Sequence, residues 1–358
     1  WVTWISYVPS EMIAAGIIMN GFFPDIGTIW WAIFFGLIVT IINLFRVDKF
    51  GESEFWLALI KIVALVAFST VALFICLGLI GGEGFIGTRI LLGSGGFVPH
   101  GYGSIIFTMV IILVNFQGTE IIGLAAGETE NPAKSIPLAV RNLTWRIITL
   151  YIVPITLLVS LLPWDQASLS ESVFAAALAA HGFSDLGALF SFVVLTAAVS
   201  CSNSGLYGAA RTVHALAAMG MAPRALGGLS VKGVPTRAIY ASIVFCWCVI
   251  GIYAINPHAA LYTYLLALSG FSGAVAWISI CWSQYRRRRM LEACGTVQQL
   301  QYRTPFFPFV TLFGIWAQVL CLGFMVFTPE LRAALYLGIP MLVVPMIVYR
   351  LLLAKQKG

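Results

Sequence analysis

Three ionisable side chains stand inside long apolar runs of this sequence: Glu11, Lys61 and Glu120. A charged group at membrane depth is costly unless paired or hydrated, so each is a candidate for moving or recognising charge. Glu11 and Lys61 have a second reading as polar contacts between helices, and Lys61 a third, as a side chain that snorkels to the headgroups. Glu120 carries more because of the residues before it. Asn115-Phe116-Gln117-Gly118-Thr119 brings polar and small side chains to the middle of an apolar run, where lipid favours leucine. Such a stretch weakens a helix at its centre. A helix broken there presents carbonyls at the end of one half and amides at the start of the next, groups that coordinate ions and zwitterions. The alternative is a glycine that only lets two helices approach closely. Two further stretches of this kind, Ser200-Cys201-Ser202-Asn203-Ser204-Gly205 and Ser269-Gly270-Phe271-Ser272-Gly273, also lie in apolar runs. With the buried charges they describe a polar cavity near the centre of a bilayer.

Helices in a membrane must position these residues. Of 358 residues, 60% are hydrophobic and 9% charged, with a mean hydropathy of +0.95. A soluble domain carries about 25% charged residues, so too little polar surface is present for solubility. Barrel strands need alternation over roughly ten residues, whereas 59–79 and 186–198 are almost continuously apolar. The fold class is therefore an all-α polytopic membrane protein. Turn and charge punctuation gives ten spans: Val2 to Phe23, Ile29 to Phe45, Phe55 to Leu79, Ser104 to Gly127, Leu143 to Leu162, Leu186 to Leu216, Ile239 to Ile255, Ala259 to Tyr285, Phe306 to Phe327 and Ala333 to Leu353. Asn131-Pro132 ends the fourth span and Ile136-Pro137 restarts a helix, which predicts a short inner loop with Glu128 at its mouth. Between Trp164 and Asp185, the apolar core Val173 to Ala180 reads as an external interfacial helix.

Cytoplasmic connections carry the excess of lysine and arginine. The connections after spans two, four, six and eight, with the C-terminal tail, hold 17 of the 20 such residues, and the opposite side holds Arg89 and Arg332. Both termini are then cytoplasmic. The same rule reads Arg286 to Arg289 as a topology anchor at the inner headgroups, touching anionic lipid, and not as a nucleic-acid patch. The seven cysteines have no pairing frame or zinc-like spacing. The histidines His100, His181, His214 and His258 are scattered without metal-ligand spacing. No nucleophile elbow or Walker phosphate loop is present. An enzyme is thereby disfavoured, and no metal or cofactor is expected. A channel would need rings of charged or aromatic pore residues, which the sequence does not display.

From Phe116 through Gly127-Glu128 and on through Asn131-Pro132-Ala133-Lys134-Ser135-Ile136-Pro137, the chain resembles the sixth helix of bacterial amino acid permeases. Further similarity lies in Phe22-Phe23-Pro24-Asp25, Glu54 to Lys61, Asn203 to Tyr207, Gly233-Val234-Pro235 and Tyr302 to Pro308, so it covers essentially the whole chain. The likeness is to lysine-specific and S-methylmethionine permeases, within the amino acid-polyamine-organocation superfamily. It implies one permease domain over residues 1–358 with the leucine-transporter fold, two inverted five-helix repeats and two accessory helices. The ten spans would be family helices three to twelve: an incomplete first repeat in 1–80, the second repeat in 104–285 and the accessory helices in 306–353. The chain opens at Trp1 inside an apolar run, so the implied first pair of helices, with its glycine-rich carboxylate site, would precede it.

The resemblance also implies roles. Carbonyls of Phe116, Gln117 and Gly118 would receive the substrate ammonium, with Thr119, Ser202, Asn203 and Ser269 lining the pocket. Glu120 matches an acidic position associated with proton coupling or cation recognition, Glu128 its neighbour near the inner gate, and Glu11 joins them as a buried acid. Lys61 matches a lysine of proton-coupled relatives, standing where sodium-coupled ones hold an ion. The expected function is proton-coupled import of an amino acid across the cell membrane, leaning toward a cationic one such as lysine or S-methylmethionine. An exchanger or sodium symporter of the same fold is the alternative. Amino acid, protons and membrane lipids are the implied partners, and the sequence carries no signal of oligomeric state.

Overall fold

The computed structural model describes residues 1–44, 47–82, 84–93, 95–124, 131–167, 172–231, 233–256, 259–300 and 302–357. Glu128 and His258 lie outside the described residues. Among these residues every regular element is helical: α1 Val2–Phe22, α2 Thr28–Leu44, α3 Val47–Cys76, α4 Arg89–Gly93, α5 Tyr102–Asn115, α6 Ile121–Leu124 and α7 Pro132–Ile147. They continue with α8 Val153–Leu161, α9 Val173–Ala180, α10 Ser184–Ala218, α11 Thr236–Ile255, α12 Ala259–Ala293, α13 Phe309–Phe324 and α14 Pro329–Lys357. Eight helical stretches are long and apolar enough to cross a membrane. The 17-residue α2 is at the lower limit for a spanning helix. The remaining expected span is interrupted, as α5 and α6.

Several helices outrun their apolar cores, because hydropathy marks the part that faces lipid while backbone hydrogen bonding continues beyond it. Thus α12 continues to Ala293 through Arg286 to Arg289, arginine being a strong helix former. The short inner loop expected before Leu143 is replaced, from Pro132 onward, by α7. Pro132 occupies the first helical position, where its missing N–H costs nothing, and Pro137 is carried inside the helix. A π turn at Ile148–Ile152 links α7 to α8 immediately before Val153-Pro154, so the wider turn falls where proline removes a hydrogen bond.

Helix α10 touches α1, α2, α3, α9 and α11, which places its polar stretch in the interior. Ser200, Ser202, Asn203 and Gly205 are all buried. One apolar cluster joins α1, α2, α10 and α11 around Val8, Met12, Val39, Leu206 and Ile239. A second joins α3, α8, α9 and α10 around Phe68, Ile75, Leu161, Leu178 and Phe190. A third joins α12, α13 and α14 around Leu268, Phe271, Met325 and Leu331. Helix α9 has the bounds expected of it, and its Ala177 and Leu178 are fully buried against the second cluster, so it is docked on protein along that face. Trp30, Val63 and Phe313 project outward, as expected of helices whose surroundings are lipid.

Candidate functional site

The interruption between α5 and α6 is a turn over residues 116–120. Gly118 has φ of +102°, a backbone state that a side chain disfavours, so the glycine is what permits the turn. The Gly118 N–H donates to Glu120 Oε2 at 3.1 Å, and the indole Nε1–H of Trp277 on α12 donates to the same oxygen at 3.1 Å. Glu120 thus closes its own turn and ties it to α12. The Gln117 side chain docks twice on Ser269: its Nε2–H donates to the Ser269 carbonyl at 2.9 Å, and the Ser269 hydroxyl is 2.8 Å from Gln117 Oε1. The same hydroxyl lies 3.1 Å from the carbonyl of Thr3 in α1. A Cβ at Gly273 would overlap the Gln117 amide, so this approach requires glycine there too. The Phe116 ring stacks on Tyr151 at 5.3 Å, and the Tyr151 hydroxyl donates to the Asn115 carbonyl at 3.3 Å. The Gly118 carbonyl accepts from Ile121 N–H, whereas those of Phe116 and Gln117 have no hydrogen-bond donor among the described residues. Thr119 sits half-buried in the same turn.

A second polar assembly surrounds Lys61. Its Nζ donates to Ser200 Oγ at 2.7 Å and lies 3.9 Å from Glu54 Oε1. Ser200 Oγ also donates to Glu54 Oε1 at 2.5 Å, and Asn203 Nδ2 donates to Glu54 Oε2 at 3.4 Å. Asn43, near the end of α2, donates to Asn203 Oδ1 at 2.8 Å. The line Asn43, Asn203, Glu54, Ser200, Lys61 therefore connects α2, α10 and α3. Glu54 was legible as a partner: seven residues make two helical turns to within about 20°, which puts Glu54 and Lys61 on one face of α3. Asn43 and Trp277 carried no comparable signal, since only packing between distant helices brings them to the site.

Glu11 lies on α1, which packs against α10. Tyr7 stands one turn earlier on the same helix, and the Lys61 charge acts on Glu11. Lys61, Glu54, Ser200 and Asn203 are therefore gathered around one interior region, with Glu11 within reach of the Lys61 charge. Gln117, Glu120 and Ser269 gather around the turn, next to α12. Ser202 joins neither, being buried with its hydroxyl directed to the Val8 carbonyl of α1 at 3.4 Å. No group of histidine, cysteine or carboxylate side chains among the described residues is arranged to hold a metal.

Apolar helices around an interrupted helix, with ionisable side chains turned to the interior, define a multi-pass membrane protein whose polar centre suits a small charged solute. The chain belongs to the amino acid permease family, whose profile matches residues 1–357. It is 34% identical to the amino-acid permease RocC of Bacillus subtilis, over 99% of this chain and 76% of that one. It is also 35% identical to the lysine-specific permease LysP of Escherichia coli, over 98% of this chain and 75% of that one. A gamma-aminobutyric acid permease of Bacillus subtilis is 36% identical over 94% of this chain and 71% of its own length. These relatives are named as permeases, which are transporters and not enzymes.

Proposed function

We propose that this protein imports an amino acid across the cell membrane as a secondary active transporter driven by protons, with both termini cytoplasmic. The observation that carries the substrate class is the turn at 116–120: carbonyls of Phe116 and Gln117 that have no donor among the described residues, beside a carboxylate at Glu120. Two such carbonyls suit an ammonium group. A carboxylate nearby suits a second positive charge, which supports a cationic amino acid, and one relative is named lysine-specific. Thr119 and Ser269 belong to the same pocket, while Asn203 bounds its far side through the Lys61 assembly. Proton coupling is assigned to Lys61, Glu11 and Glu54, which share one interior region and can exchange a proton with an intervening water. Their ammonium occupies space that a bound sodium ion would need. Residues 104–285 would form the second five-helix repeat and 306–353 the accessory pair, and Glu128 would follow the site toward the cytoplasm.

Uptake of labelled lysine into proteoliposomes under an inward proton gradient, competed with a panel of amino acids, tests the reading. Lysine and other cationic amino acids should compete, and collapse of the gradient should abolish accumulation. Glu120→Gln should weaken lysine binding about tenfold or more while sparing neutral competitors, because one buried charge-assisted contact contributes about 1.5–3 kcal/mol. Unchanged lysine affinity in that variant would remove Glu120 from substrate recognition. Saturable uptake that ignores the proton gradient but follows an opposing amino acid would make the protein an exchanger.

A further inference from the structure

The far end of α12 carries a cavity that the transport site does not use. It has a volume of about 180 Å³ and is lined by Gln284, Arg287, Arg288, Leu291, Leu300, Tyr302 and Thr304. Five arginines, Arg286 to Arg289 and Arg303, fall within residues 284–304, and Glu292 is the one acidic residue between 260 and 328. That glutamate is already engaged, 3.0 Å from Arg288 and 3.6 Å from Arg289. Arg303 is held by Gln298 Oε1 at 2.6 Å. Arg288 is fixed further by lying 5.5 Å from the centre of the Phe307 ring. Arg287 lines the cavity with no acidic partner among the described residues, so the cavity has a positive wall whose charge is not cancelled.

The surroundings place this wall at headgroup depth. The apolar run of α12 ends at Tyr285, and Trp282, Tyr285 and Phe307 form a continuous aromatic row with neighbouring ring centres 5.7 Å apart. Aromatic rings of this kind settle at the membrane interface. Phe306, just before α13, and Phe309, its first residue, are 81% and 77% exposed, which suits acyl chains and not water. The geometry points to a binding site for the phosphodiester headgroup of an anionic phospholipid, with Arg287 and Arg288 on the phosphate, Thr304 and Gln284 as neutral hydrogen-bonding groups, and Leu291 and Leu300 against the glycerol. Basic recesses beside spanning helices recognise acidic headgroups in this manner. A free phosphate shares the arginine chemistry but has no use for the exposed aromatic rim.

Native mass spectrometry of the purified protein, with phosphatidylglycerol or phosphatidylcholine of identical chains added, tests the site. Phosphatidylglycerol should be retained in preference to phosphatidylcholine, and Arg287→Ala should weaken that retention about fivefold, the effect of one arginine near a charged headgroup. Arg287→Gln, which keeps a polar side chain, serves in the same way if the alanine variant is unstable. Arg89→Ala, which removes an arginine from α4, should leave retention unchanged. Equal retention of the two lipids, or an equal loss with Arg89→Ala, would overturn the site. Displacement of phosphatidylglycerol by excess inorganic phosphate would assign the cavity to a soluble anion and overturn the lipid.

Discussion

Lys61 holds a different position from the one a lone charge in an apolar run suggests. Its ammonium contacts Ser200 and approaches Glu54, so it belongs to a connected set of polar groups on three helices. Replacing Lys61 by alanine leaves Glu54 with its two neutral donors, Ser200 and Asn203, and removes the one cation of these five residues. Lys61→Ala should therefore abolish accumulation driven by a pH gradient while the protein remains inserted. Normal gradient-driven uptake by that variant would reduce Lys61 to a structural contact. Asn203 is the more structural member, fully buried and linking Asn43 to Glu54. Asn203→Ala removes one buried hydrogen bond from Asn43 and one from Glu54, each contributing about 0.5–1.5 kcal/mol. A lowered midpoint of thermal unfolding in detergent should report it, and Asn203→Asp should not restore it, because the new carboxylate faces that of Glu54.

Among the elements, the decisive one is a helix that stops. The turn at 116–120 is held by contacts to α12 and α1, so its shape depends on Gly118 for backbone freedom and on Gly273 for room. Gly118→Ala forces a side chain into a left-handed conformation, at a cost of about 1–2 kcal/mol. Gly273→Ala displaces the Gln117 amide and leaves the backbone of α12 intact. Both variants should insert normally and raise KM for the amino acid, with Gly273→Ala showing the smaller stability change. Uptake kinetics beside thermal unfolding separate the two effects. Unaltered KM in both would mean that the turn does not contact substrate.

For the whole molecule, the charge division between connections predicts which face meets the cytoplasm. In a cysteine-free background, single cysteines at Phe97 and Gln166 should react with an impermeant thiol reagent added outside intact cells, and one at Val231 should not. All three positions are exposed, so reactivity reads sidedness and not burial. Reversed labelling would exchange the inner and outer ends of the transport path.

Composition and apolar run length alone decided the class, because a bilayer leaves helices and closed barrels as the spanning structures and the runs lack strand alternation. The weak point at Asn115 to Glu120 was equally legible, since polar and small residues oppose a helix in lipid wherever they sit. Helix ends were not, as in α12 beyond Tyr285 and α7 before Leu143, because hydropathy records contact with lipid and says little about where hydrogen bonding stops. The tertiary structure decided which polar residues share a space. Ser202 and Ser200 stand two residues apart in one polar stretch, yet one faces the α1 backbone and the other Lys61, since residues two apart lie on nearly opposite sides of a helix. Asn43 and Asn203 are 160 residues apart, and Glu120 and Trp277 are 157 apart. No local pattern joins such pairs; only the packing of α2 on α10, and of the turn on α12, brings them within hydrogen-bond distance.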